Sequence, residues 1–119
     1  MLRPVHRARI EPYGIDLEVK DGQTIFRAAN EAGLQWPTRC SGAHSCTMCT
    51  MIVDEGVENL SRPDEEEAFR IAPLARHLDI SPIRLRMACA ARVRGPVVVS
   101  PRYQLGQTFD DEAAEAESP

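Results

Sequence analysis

The chain has 119 residues, of which 43% are hydrophobic, and this predicts one domain with a single core. A net charge of −4 and a content of one Trp, two Tyr and three Phe argue against a nucleic-acid partner, which requires a basic surface and stacking rings. No apolar run approaches the roughly 20 residues of a membrane span, and Met1–Ile10 lacks a signal-peptide pattern, so we expect a cytoplasmic protein.

Two strands and a helix are predicted in the first third of the chain. Val5–Ile10 and Ile15–Lys20 alternate apolar and polar residues, and a Pro-Tyr-Gly turn between them indicates a hairpin with one buried face. Thr24 has the residue type that begins a helix, apolar residues follow at helical spacing, and Gly33 provides a left-handed end.

The second half of the chain predicts two strands around a short helix. Thr50–Val53 and Val97–Val99 have the β-branched composition of strands. Ser61 is predicted to cap a helix over Asp64–Ala72, and Pro73 is expected to end it. The residues expected to be buried on this helix are Ala68, Phe69, Ile71 and Ala72. This order of elements favours an α+β domain in which one helix crosses a small mixed sheet.

The end of the chain differs in composition from the rest. Phe109–Pro119 contains five acidic residues, no basic residue and few large apolar ones. Such a segment buries too little surface to offset the entropy of ordering it. We therefore expect a domain over residues 1–104 and an acidic, disordered tail over 105–119.

Four cysteines are the most informative feature of the sequence. Five residues separate Cys40 from Cys46, two separate Cys46 from Cys49, and 39 separate Cys49 from Cys89. Disulfides do not suit a cytoplasmic protein, structural zinc usually takes two short-spaced pairs, and a catalytic dithiol should open a helix rather than precede a strand. Three thiolates on one loop and a fourth from across the fold fit a two-iron cluster better.

The cysteine loop resembles a known family. Arg39–Cys49, with the five-residue gap, and Arg84–Cys89 together look like the 2Fe–2S ferredoxins of the β-grasp fold, in the branch of adrenodoxin and its bacterial relatives. The resemblance covers residues 4–102. It implies that Cys40 and Cys46 hold the iron nearer the surface, and that Cys49 and Cys89 hold the deeper one.

The resemblance also implies a function. A protein of this family carries one electron at a time from a ferredoxin reductase to a terminal oxygenase, such as a cytochrome P450 or another monooxygenase or dioxygenase, and is not itself an enzyme. The expected reduction potential is on the order of −400 mV or somewhat above. Two alternatives stay open: a ferredoxin for repair or assembly of another protein's metal centre, and a redox-sensing or zinc-bearing interaction module without turnover.

The partner surface is a hypothesis from the residues themselves. Asp64, Glu65, Glu66 and Glu67 form an acidic run that could dock a basic partner, although acids in a first helical turn also stabilise the helix dipole. We expect a monomer. His44, inside the cysteine loop, could couple the potential to pH.

Two apolar residues have expected structural roles. Trp36 is predicted to be a core anchor just before the cysteine loop. Met87 is predicted to shield the metal site, a role that the family resemblance also implies.

Overall fold

A five-stranded mixed sheet organises the protein in a computed structural model that describes residues 4–37, 48–103 and 105. The sheet order is β2-β1-β5-β3-β4; β1 and β5 are parallel, and the other neighbouring pairs are antiparallel. The elements in chain order are β1 Val5–Ile10, β2 Ile15–Lys20, α1 Ile25–Glu31, β3 Thr50–Glu55, a 3₁₀ turn Val57–Asn59, α2 Glu65–Leu78, β4 Leu85–Met87 and β5 Val97–Pro101. This confirms the α+β class and the β-grasp arrangement.

The predicted hairpin and first helix are confirmed. Ala8 and Ile10 on β1 and Leu17 and Val19 on β2 are buried, while the residues between them along each strand are exposed or half-buried. The Thr24 hydroxyl caps α1 by accepting a hydrogen bond from the backbone N–H of Arg27 at 3.2 Å. Local periodicity is therefore sufficient to place these elements, because each one has a single buried face.

The second helix begins later than the sequence predicts. Asp64, not Ser61, is the N-cap, and its carboxylate accepts the backbone N–H of Glu67 at 2.8 Å. Ser61 has other partners: its backbone N–H donates to the Arg92 carbonyl, and its hydroxyl accepts the Arg92 N–H at 3.0 Å. Because both groups are used in this contact between distant segments, Ser61 cannot cap the helix.

The prediction that Pro73 ends this helix is wrong. α2 continues through Pro73 to Leu78 and ends at Asp79, which adopts a left-handed conformation. A proline inside a helix costs about 3 kcal/mol. Continuing past it adds Leu74, Ala75 and Leu78 to the apolar face that packs against the core, and this burial offsets that cost.

The buried face of α2 also differs from the prediction. Glu67, Ile71 and Ala75 are buried, whereas Phe69 is 79% exposed. Successive residues of a helix are 100° apart, so Phe69 lies about 200° around the axis from Ile71 and faces solvent. Of the other two residues expected inside, Ala68 is exposed and Ala72 is half-buried.

The predicted strands β3 and β5 are confirmed, and β4 lies in the buried approach to Cys89. No helix in the described ranges has the length and apolarity that crossing a bilayer requires. Of the predicted tail, the structure describes only Leu105, whose N–H donates to the Tyr13 hydroxyl at 3.0 Å. The division into residues 1–104 and an acidic tail stays a prediction.

The turn after β3 depends on a glycine. Gly56 has φ +88°, and a Cβ at this position would lie 2.5 Å from the Pro96 carbonyl oxygen, next to β5. Gly33 has a similar φ of +84°, but a Cβ there would have no atom within 4 Å. Both positions therefore require a left-handed backbone, but only at Gly56 would a side chain also clash with a neighbouring strand.

Gly56→Ala is expected to destabilise the protein by about 3 kcal/mol, because left-handed strain and a backbone clash add. Gly33→Ala should cost only about 1 kcal/mol, from strain alone. Thermal unfolding followed by circular dichroism at one scan rate would show the difference as a midpoint roughly 8 °C or more lower for the Gly56 variant. Equal midpoints would contradict the close contact with Pro96.

Candidate metal centre

Two of the four predicted ligand residues lie side by side in the core. The Sγ atoms of Cys49 and Cys89 are 3.1 Å apart, and the residues are 0% and 7% exposed. This separation is well beyond the roughly 2.05 Å of a disulfide bond, so the two cysteines are not joined by one. The structure thus confirms that a loop cysteine and the distant Cys89 meet, although 39 residues separate them.

Strand pairing explains why they meet. In the β3–β4 ladder Thr50, the first residue of β3, pairs with Met87, the last residue of β4, so Cys49 immediately precedes the first pair of the ladder. The ladder extends to the Cys49 carbonyl, which accepts the Ala88 N–H at 3.2 Å. Beyond β4, the chain turns tightly as the N–H groups of Ala90 and Ala91 both reach the Met87 carbonyl at 2.9 Å. Register on one side and this turn on the other hold the two thiols together.

Two large side chains close the core around this position. Trp36 is 1% exposed, and its Nε1 donates to the Cys49 carbonyl at 3.0 Å. Met87 is also 1% exposed, and its role in shielding the metal site stays a prediction. The prediction of Trp36 as a core anchor is confirmed, and its hydrogen bond additionally fixes the backbone of a predicted ligand.

The remaining predicted residues of the cysteine loop, Cys40, Cys46 and His44, lie outside the described residues. Among the residues that are described, no group of three His, Cys, Asp or Glu forms a complete metal site. The two described cysteines can still be compared with what an iron–sulfur cluster requires of its ligands. Two buried thiols at adjacent positions suit neighbouring ligands of an iron–sulfur cluster, which is held by Cys thiolates.

A buried ion pair next to this site was not predicted. The Glu67 carboxylate accepts two hydrogen bonds from the Arg86 guanidinium, at 2.7 and 3.1 Å, and a third from the Met87 N–H at 3.0 Å. Both side chains are almost fully buried, at 2% and 4% exposure. The pair therefore joins α2 to β4, the strand that leads to Cys89.

This ion pair corrects the predicted docking run. Glu67 is buried and fully engaged, so it cannot contact a partner, whereas Asp64, Glu65 and Glu66 are exposed. The sequence did hold a signal for its position, because Glu67, Ile71 and Ala75 recur every four residues on one helix face. A charged residue on an apolar helix face implies a buried partner.

A cleft of about 670 Å³ opens beside Cys89. Its described lining includes Phe26 and Arg27 of α1, Asp64 at the start of α2, Cys89 itself and Arg92. The acidic start of α2 therefore lies at the edge of a cleft that reaches Cys89.

Comparison with known proteins shows what the chain is similar to. The family model described as 2Fe-2S iron-sulfur cluster binding domain matches residues 8–94. A 2Fe-2S ferredoxin of Escherichia coli K12 is 34% identical over 96 residues, which cover 79% of this chain and 83% of that protein.

Two solved structures share the fold. The ISC-like 2Fe-2S ferredoxin FdxB of Pseudomonas putida has a TM-score of 0.66 at 24% identity, covering 87% of this chain and 98% of that chain. The ferredoxin reductase in carbazole 1,9a-dioxygenase has a TM-score of 0.66 at 15% identity, covering 85% of this chain and 29% of that chain.

Glu67→Ala is expected to cost about 3–5 kcal/mol of folding stability, because it leaves the Arg86 charge buried without its partner. Glu66→Ala is the matched control on the exposed side of the helix and should cost less than about 1 kcal/mol. The double variant Glu67→Leu/Arg86→Met should recover part of the loss, since no charge then stays buried.

The measurement is the thermal midpoint of the three variants under identical conditions. A Glu67→Ala midpoint equal to that of Glu66→Ala would show that the buried pair does not hold α2 to β4.

Proposed function

Because the chain belongs to the 2Fe–2S ferredoxin family, its cofactor is a 2Fe–2S cluster and it is an electron carrier rather than an enzyme, and we propose that Cys40, Cys46, Cys49 and Cys89 are the cluster ligands. The adjacent buried thiols of Cys49 and Cys89 carry this proposal. The matched region, residues 8–94, contains all four cysteines of the chain, and a 2Fe–2S cluster of this type takes four thiolates.

When bound, the cluster supplies reversible one-electron redox chemistry. The protein's part is to keep the ligand backbone in place and to exclude water. The Cys49 carbonyl is held by Trp36 and by Ala88, and Cys89 follows a strand anchored by Glu67. A site whose ligands are held by hydrogen bonds from neighbouring elements keeps its geometry when its charge changes.

Replacing any of the four cysteines by serine should abolish the intact cluster. Each iron takes two of the four thiolates, and a serine hydroxyl is a much weaker ligand than a thiolate. The measurement is iron and sulfide content after anaerobic purification, together with the electron paramagnetic resonance signal of the dithionite-reduced protein. Wild type should contain two irons and two sulfides per chain with one unpaired spin.

Met48→Leu is the matched control for the cysteine variants, because Met48 is half-buried directly beside Cys49 and has a volume close to that of leucine. It should retain the full cluster. A serine variant with unchanged iron, sulfide and spin would remove that cysteine from the ligand set.

The acceptor proposed for this electron carrier is a terminal oxygenase, with a ferredoxin reductase as the donor, in the cytoplasm. The family resemblance supports this direction, and a fold like this one is also part of the ferredoxin reductase in carbazole 1,9a-dioxygenase. Asp64, Glu65 and Glu66 are the proposed docking residues. They are exposed, and Asp64 borders the cleft that leads to Cys89.

The triple variant Asp64→Asn/Glu65→Gln/Glu66→Gln should be reduced about ten-fold more slowly at low salt by an NADPH-dependent ferredoxin reductase, because it loses the charges that steer encounter. Asparagine at position 64 preserves the helix cap. The difference from wild type should shrink as salt screens the remaining charges.

A control variant with the same loss of charge is Glu18→Gln/Glu55→Gln/Glu58→Gln, three exposed acids outside α2. Its rate should stay near that of wild type. Equal slowing of both triple variants would show that net charge, not the start of α2, governs the encounter. Electron transfer from the reduced protein to a cytochrome P450 monooxygenase would then be measured with the same variants.

A further inference from the structure

The outward face of α2 has a feature that electron transfer does not require. Phe69 is 79% exposed and is flanked by Ala72 and Pro73, with Glu65 before and Arg76 after them on the same face. At 100° per residue, these five residues occupy an arc of about 100°. The described part of the chain thus presents an aromatic side chain at the centre of the solvent-facing side of α2.

An apolar groove lies next to this aromatic residue. It has a volume of about 610 Å³ and runs between α2 and the segment before β4, where Ile83 is 66% exposed. Ala72 lines the groove and also the concave patch that contains Phe69. The projecting side chain and the groove are therefore neighbours on one continuous apolar surface, an arrangement that marks interaction sites.

The charges on α2 indicate what covers this surface. Asp64, Glu65 and Glu66 precede Phe69, whereas Arg76 and His77 follow it. Glu65 and Arg76 lie about 16 Å apart along the axis, and the midpoint between them is also the midpoint between Phe69 and Ala72. When two such helices pack antiparallel about that point, Glu65 of each meets Arg76 of the other, and Phe69 of each meets Ala72 of the other.

We propose that the protein forms a symmetric, reversible dimer in which α2 of one copy packs antiparallel against α2 of the second copy. Phe69 of each copy covers Ala72 and the adjoining groove of the other, and two Glu65–Arg76 pairs flank this apolar centre. The contact is isologous, so one surface serves both copies and the assembly closes at two. This proposal replaces the expectation of a monomer.

The dimer goes beyond the proposed electron transfer and has a consequence for it. A contact built on one helix face and one groove belongs to the small, weak class of interfaces, with a dissociation constant in the micromolar range or weaker. It covers Glu65 and adjoins Glu66, which belong to the proposed docking run. Dimer formation and partner docking at these residues therefore exclude each other, and dilution favours the form that docks.

Sedimentation equilibrium of the cluster-loaded, full-length protein between about 5 and 500 µM tests the dimer directly. Wild type should change from monomer to dimer across this range. Phe69→Ala should raise the dissociation constant roughly 100-fold, because the aromatic contact occurs twice. Val5→Ala is the matched control, since Val5 is 56% exposed on β1, away from α2, and it should dimerise as wild type does.

Charge exchange identifies the partner as a second copy. Glu65→Arg and Arg76→Glu should each weaken dimerisation about ten-fold or more, because each places like charges opposite one another. The double variant should recover most of the wild-type affinity, since the pairs are re-formed with reversed sign. Glu18→Arg, on β2, supplies the same charge change as Glu65→Arg and should have no effect.

Three outcomes would overturn the dimer. They are a wild-type protein that stays monomeric at 500 µM, a Phe69→Ala variant that dimerises as wild type does, or a double charge exchange with no recovery. Because the mass is measured without any redox partner, these results are independent of whether electron transfer to an oxygenase is established.

Discussion

The rest of the structure depends on the buried ion pair between Glu67 and Arg86. Two charges in the core are tolerated only where each is fully paired, and here the carboxylate accepts three hydrogen bonds, including the Met87 N–H. Such a pair adds little net stability compared with apolar residues, but it permits few alternative arrangements. The observed rotation of α2 and the observed register of β4 satisfy it together, and in that arrangement Cys89 lies beside Cys49.

The rotation of α2 explains features that look unrelated in the sequence. With Glu67 directed inward, Ile71 and Ala75 join it on the core side, and Phe69 must face solvent. The same rotation exposes Glu65 and Glu66, while Asp64 caps the helix at the edge of the cleft beside Cys89. The buried pair thus assigns Glu67 to the core and leaves Asp64, Glu65 and Glu66 accessible to other molecules.

The sequence predicts the structure correctly where the local residue pattern and the tertiary packing favour the same element. The hairpin follows from alternation, α1 from its Thr24 cap, and the metal chemistry from the spacing of four cysteines, which few other sites share. The prediction fails in α2, where local rules conflict with tertiary packing. Pro73 is a helix breaker by propensity, yet the core beyond it retains the helix, and Ser61 resembles a cap but bonds to Arg92.

Two sides and one end of α2 have different roles in linking the redox centre to its surroundings. The inner side is fixed to β4, the N-terminal end borders the approach to Cys89, and the outward side holds Phe69 between opposite charges. Because Phe69 is exposed on the opposite side of the helix from the buried Glu67, substitutions at the two positions should act independently. Loss of the inner pair is expected to disturb the fold and the position of Cys89, whereas changes on the outer side are expected to alter only what the folded protein contacts. The interaction surface can therefore vary without disturbing the metal centre.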